Sequence, residues 1–281
     1  MNLTHRTLRR DEMPVVIEMA AREGWNPGLH DGDAFHSADP QGFLVAESAG
    51  RVLGCISAVS YGAAFGFIGL FIVAPDWRGQ GIGRSLWDAG MARLSGRVVG
   101  LDGVPAQQDY YRRKGFELAW QNVRFSGTAQ PRAAVPDTWI GPLAAIDFAS
   151  LRADDRRVFP APREAFLRAW IDMPDACGLA WTEQGRLAGW GVIRPCREGC
   201  KIGPLVADRA DIANALYDAL SQQAPAGSAV FLDVPLPNTG ALELAHRQGL
   251  QRVFETARMY RGAAPACAIE RVYGITSFEL G

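Results

Sequence analysis

The chain repeats itself, and this limits its possible folds more than any other feature of the sequence. FLVAESAGRVLGCISAV (43–59) and GLAWTEQGRLAGWGVIR (178–194) both alternate apolar and polar residues around a Gly-Arg turn, the pattern of a β-hairpin. Gly50 matches Gly185 and Gly54 matches Gly189, each 135 residues apart. Further on, IGLFIVAP matches IGPLVAD, VVGLDGVP matches VFLDVPLP, and KGFELAWQNVRFSG matches QGLQRVFETARMYRG, in the same order. Gly115 with Gly249 and Arg124 with Arg258 are 134 apart, so the register drifts only where loops absorb it. Each copy reads as helix, hairpin, central strand, helix, strand, helix, strand. The expected fold is α/β, two tandem units that are each a mixed, mostly antiparallel sheet flanked by helices.

The join falls near SGTAQPRAAVPDTW, which lacks apolar periodicity and suits an exposed linker at 127–137 between units 1–130 and 137–281. At 281 residues the chain is long enough for two cores. With 29 basic and 30 acidic residues it has no general field to attract nucleic acid or an anionic membrane. No apolar run reaches membrane-spanning length and MNLTHRTLRRDEMP has no signal-peptide stretch, so a cytoplasmic location is expected. Cys55, Cys177, Cys196, Cys200 and Cys267 are odd in number and lack metal-ligand spacing, which favours buried free thiols and no metal.

One segment has a spacing that carries chemistry. The apolar strand Gly69 to Val73 runs through Ala74-Pro75-Asp76-Trp77 into Arg78-Gly79-Gln80-Gly81-Ile82-Gly83, followed by a helical pattern from Arg84 to Leu94. A glycine-rich turn at a helix start offers backbone N–H groups and the positive end of the helix dipole to a phosphate. Gly79, Gly81 and Gly83 permit close approach, and Arg78 and Arg84 add charge. A nucleoside triphosphate loop would need G-K-[ST], and a dinucleotide fingerprint would need glycine at Leu86.

VAPDWRGQGIG resembles the pyrophosphate loop, R-x-x-G-x-G, of the Gcn5-related N-acetyltransferase (GNAT) superfamily, with Arg78, Gly81 and Gly83 at its fixed positions. The resemblance implies acetyl-CoA as cofactor. It also implies a bulged strand whose backbone at Phe71, Ile72 and Val73 pairs with the pantetheine arm. YYRRKGF is similar to the helix that supplies a tyrosine beside the thiol, which assigns that place to Tyr111. GWNPGLHD, LDGV, RMYRG and the tail YGITSFELG extend the resemblance to a subgroup with a fused, degenerate C-terminal copy.

Comparing the copies separates fold from chemistry. Where the first has RGQGIG, the second has ADRADIANALYDAL, without glycine and with Asp208 and Asp211 to repel phosphate, so it is not expected to bind CoA. Ala245 stands at the position of Tyr111, so the phenol disappears together with the loop. This favours Tyr111 as the acid that protonates the departing thiolate, against a tyrosine that merely packs in the core. Asp102 ends a strand where a base would fit, but Asp233 holds the matching place in the second copy, which points to structure. Arg124 and Arg258 are shared and read as structural too.

The segment from Glu23 to Asp31 has no counterpart in the second copy. Trp25, Asn26 and Asp31 are candidate contacts for a cationic amine, with Asp31 a candidate base; the alternative is a Pro/Gly turn in which Trp25 anchors the core. The expected activity is transfer of acetyl to the primary amine of a small molecule by direct attack, with a strand N–H from Phe71 to Val73 polarising the thioester carbonyl. A peptide or protein amine, or a non-catalytic acetyl-CoA sensor, is the competing reading. The second copy closes the acceptor pocket, stabilises the first, or forms a homodimer contact; the sequence leaves these open.

Overall fold

The computed structural model describes residues 3–129 and 139–281. In chain order the first half contains β1 (Thr4–Thr7), α1 (Met13–Arg22), α2 (Asp31–Ala38), β2 (Phe43–Ser48), β3 (Arg51–Tyr61), β4 (Phe65–Val73), α3 (Ile82–Arg93), β5 (Val98–Gly103), α4 (Gln108–Arg113) and β6 (Glu117–Thr128). The second half contains β7 (Ile140–Pro142), α5 (Phe148–Val158), α6 (Glu164–Ile171), β8 (Cys177–Glu183), β9 (Arg186–Pro195), β10 (Cys200–Ala207), α7 (Ala210–Ser221), β11 (Ala229–Pro235), α8 (Thr239–Arg247) and β12 (Gln251–Arg261), then a short added strand, β13 (Val272–Gly274). Most of the expected linker lies outside the described residues; positions 127 and 128 are still in β6. No helix among the described residues is long and apolar enough to cross a membrane.

The duplication is visible in the backbone. The β2–β3 turn holds Ala49 and Gly50 at φ 51° and 76°, and the β8–β9 turn holds Gln184 and Gly185 at φ 50° and 76°. Two consecutive positive φ values match the right-handed twist of the flanking strands, and glycine in the second position relieves half of the strain.

Among the described residues thirteen strands form one sheet in the order β1-β2-β3-β4-β5-β12-β6-β11-β10-β9-β8-β7, with β13 pairing β10 off this path. Of these strand pairs, β4–β5 and β10–β11 are parallel and the others antiparallel. The two halves exchange their last strands: β12 lies against β5, β6 lies against β11, and β6 and β12 pair with each other at the centre. This departs from two self-contained sheets. The physical reason is that β6 and β12 are equivalent strands, so exchanging them leaves every ladder bond and apolar face satisfied.

Ion pairs lock the exchange. Arg258 on β12 grips Asp102 on β5 at 2.8 and 2.7 Å, and Arg124 on β6 grips Asp233 on β11 at 2.7 and 2.8 Å. Both pairs are buried, so each charge depends on its partner from the other half. The arginines shared between the copies are thus structural.

Candidate active site

The parallel ladder between β4 and β5 ends at Ile68 opposite Leu101. Beyond it the strands part. On its other side, β4 shifts register against β3 between Cys55 and Ser57, and Leu70 takes φ 43°, a bulge of the kind the resemblance implied. The Cys55 thiol donates to the Leu70 carbonyl at 3.1 Å from beneath, and burial raises its pKa to about 12, so it supports the bulge and is chemically inert.

The parted strands open into a cavity of about 760 Å³ lined by Phe71, Ile72 and Val73 on one side and Leu101, Asp102 and Val104 on the other. Its mouth is formed by Arg78, Gly83 and Arg84. Gly81 caps α3 in a left-handed conformation, φ 84°, and no side chain caps the helix, so its first N–H groups face outward without an acceptor. Gly79 is also left-handed, φ 75°, and a Cβ at either glycine would touch nothing: backbone conformation, not space, calls for glycine there. Gly79, Gln80 and Gly81 are exposed beside the mouth and do not line the cavity, and the Ile82 side chain is buried in the core beneath. Arg78 donates to the Val73 carbonyl at 2.9 Å and pairs with Glu23, and Arg84 points into solvent.

Tyr111 projects from α4 into the same cavity, its ring packed on Trp87 and Phe116. Burial holds its phenol well above the usual tyrosine range, and among the described residues nothing bonds to its hydroxyl. A neutral phenol at physiological pH is in the right state to donate a proton. Tyr110 also lines the cavity, but it is partly exposed; its ring packs edge-on against Trp87 and Tyr111, with the Lys114 amine 5.5 Å above it.

The far end of the cavity is aromatic. Trp25 from the segment after α1 meets Phe254 and Thr256 from β12 and Phe278 and Glu279 from the C-terminal tail. Arg124 organises three of these: it donates to the Trp25 carbonyl at 2.7 Å and lies 5.6 and 4.9 Å from the Phe254 and Phe278 ring centres. The second half therefore builds this wall, which sequence reasoning left open. Thr256 Oγ1 is buried there without a partner. Nothing in the sequence of the tail, YGITSFELG, signals that it crosses to the other half.

Three of the candidate residues are engaged elsewhere. Both Asp102 oxygens are held by Arg258, and Asn122 adds a bond at 2.8 Å, so although Asp102 borders the cavity it serves as a structural counter-ion. Asp31 does not line the cavity. It is buried against Arg194 at 2.7 Å and accepts from Gly28 N–H at 2.8 Å, and Arg194, Lys201 and Gly28 together outweigh burial and hold its carboxyl below the usual range. Asn26 clamps the β9–β10 turn through both backbone groups of Glu198, at 2.9 Å each. Of the three acceptor candidates, only Trp25 faces the cavity. The rest of the segment docks the halves together.

In the second half the equivalent parting of β10 from β11, after Ile202, is filled by the chain itself. β13 pairs with β10 through Leu205 and Val206, and Ile275 N–H donates to the Asp233 carbonyl of β11 at 2.9 Å. There α7 starts from Arg209, an extended residue paired with Glu183 and Asp211 on the surface, instead of from a left-handed glycine.

Two stretches, 39–118 and 151–274, each match the family described as acetyltransferase (GNAT) domain. The chain is 28% identical over 271 residues to the holothin acyltransferase of Pseudoalteromonas sp. (strain SANK 73390), covering 96% of this chain and 92% of that protein. A putative acetyltransferase from Pyrococcus horikoshii superposes with a TM-score of 0.85 at 20% identity, over 99% of this chain and 96% of the other. A tandem GNAT protein from the clavulanic acid biosynthesis pathway gives 0.64 at 15% identity, over 94% and 100%. With both halves matched and the tandem arrangement shared, the chain belongs to the GNAT family as a tandem-domain acyltransferase.

Proposed function

We propose that the protein transfers acetyl from acetyl-CoA to the primary amine of a small molecule, both substrates being held at once in a chamber that the first half opens and the second half walls at its acceptor end. The observation that supports this most strongly is the continuous cavity. It runs from the glycine loop and Arg78, past the bulge and Tyr111, to the wall of Trp25, Phe254 and Phe278, so donor and acceptor share one chamber. The loop N–H groups and Arg78 hold the pyrophosphate, the open edge of β4 at Phe71 to Val73 pairs the pantetheine arm, and Tyr111 returns a proton to the leaving thiolate. The acceptor end is enclosed by aromatic rings and fits a small amine with an apolar body better than an extended peptide.

The test is CoA thiol release by the intact protein across apolar amines, polyamines, amino acids and short peptides. Release with apolar amines and little with peptides is the expected result. Release with peptides alone would overturn the acceptor class, and none with any amine would overturn the function.

A further inference from the structure

Buried carboxylates in this protein are almost all taken. Arginine holds Asp31, Asp102, Asp154, Asp155 and Asp233, each in an ion pair between 2.7 and 2.9 Å. Glu279 differs. It is 5% exposed, lines the cavity, and among the described residues forms no ion pair. Lys201, Arg124 and Arg194 act on it from beyond ion-pair distance, and no cation grips it directly. A buried carboxylate that is not held in an ion pair is costly, and this one borders a reaction chamber.

The tail puts Glu279 there through close backbone contacts. After β13 it passes Gly203 of β10, where a Cβ would lie 2.7 Å from the Ile275 carbonyl, and crosses to the first half. There Gly69 lies so close to the Glu279 carbonyl that any side chain at 69 would collide with it. Tyr61 Oη donates to the Leu280 carbonyl at 3.0 Å and Arg163 donates to the Gly281 carbonyl at 3.1 Å, fixing the segment beyond. Gly69 and Gly203 occupy equivalent positions in the repeat, so the tail runs from one bulge to the other and brings a carboxylate beside the strand residues that face the donor.

We infer that Glu279, supplied by the C-terminal tail of the second half, is the general base of the reaction carried out in the first. This rests on the function proposed above. The acceptor nitrogen attacks the thioester carbonyl carbon, a C–N bond forms and the C–S bond breaks. The proton lost by nitrogen goes to the Glu279 carboxylate, and the thiolate takes one from Tyr111. Burial, with the Asp31 carboxylate adding to it, raises the Glu279 carboxyl above its ordinary range against the opposing charges of Lys201, Arg124 and Arg194, which brings its proton affinity closer to that of an amine. Glu23, the other glutamate on the cavity wall, is paired with Arg78 at the pyrophosphate end.

The test compares the intact protein with Glu279→Gln and Glu279→Asp, using the best acceptor amine. In the wild type, kcat/KM should rise with pH as Glu279 loses its proton. Glu279→Gln should lower kcat by about 100-fold to 10,000-fold, erase that rise, and leave acetyl-CoA affinity within about threefold, a sign that the fold is intact. Glu279→Asp should recover part of the rate and keep the rise. If Glu279→Gln binds acetyl-CoA and turns over with the wild-type rate and pH profile, the assignment is overturned while the function stands. A wild-type protein that acetylates no amine would overturn both.

Discussion

Between β4 and β5 the strands part after Ile68 and leave a cavity, whereas between β10 and β11 the same parting after Ile202 is closed by β13. Both partings leave backbone groups without a ladder partner, and such groups need one. In the second half the chain supplies it from its own tail. In the first, no described segment of the chain fills the slot, which leaves the edge of β4 open to the extended, amide-bearing pantetheine arm proposed above. With the donor held as proposed, the difference teaches how a duplicated unit keeps its fold without a ligand: a strand of three residues fills the slot, and where the first half has a glycine loop the second has an ordinary helix start.

The most severe way to challenge this comparison is to separate the halves. A fragment of residues 1–129 would leave β5 without β12 and Asp102 without Arg258. It is expected to show no cooperative thermal transition by circular dichroism, and co-expression with residues 139–281 is expected to restore both the transition and acetyl-CoA binding. A cooperatively folded 1–129 fragment would mean that the first half closes its sheet with its own β6 and that the exchange is optional.

The next largest effect falls on the two equivalent ion pairs. Asp102→Asn and Asp233→Asn each leave a buried arginine unpaired, and each is expected to lower unfolding free energy by about 3–5 kcal/mol in urea titration. If the pairs are equivalent, the two losses agree and the turnover of both variants follows the fraction folded. A folded Asp102→Asn enzyme with an altered pH–rate profile would break the equivalence and return Asp102 to the chemistry.

Much of this was legible in the sequence because it depends on local pattern. The Gly-Arg hairpins, the glycine loop before α3 and the loss of both loop and Tyr111 from the second copy are read from neighbours in the chain. The strand exchange was not legible, because β6 and β12 have the same pattern and pair equally well with either half. Asp31 was misplaced for a related reason: its partner Arg194 lies 163 positions away, and a carboxylate in a Pro/Gly turn looks the same whether it faces a substrate or a buried guanidinium. Glu279 had no counterpart in the repeat, and a tail without periodicity gives no sign of where it docks.

The smallest expected effect concerns the two helix starts. Alanine at Gly81 would meet no atom within 4 Å, so the cost of Gly81→Ala is that of holding a side-chain-bearing residue at φ 84°, about 1–2 kcal/mol. Because the strain sits in the loop that presents N–H groups to the donor, calorimetry should show weaker acetyl-CoA binding, by about tenfold for 1.4 kcal/mol, with thermal stability little changed. The reciprocal change, Arg209→Gly, gives α7 a permissive start but leaves β13 in the slot, so it should confer no binding on the second half. If Arg209→Gly produced a second acetyl-CoA site, β13 would have to be displaceable, and the loop alone would decide which half binds. If Gly81→Ala bound acetyl-CoA as tightly as the wild type, the left-handed start of α3 would be dispensable, and the difference between the halves would rest on the filled slot.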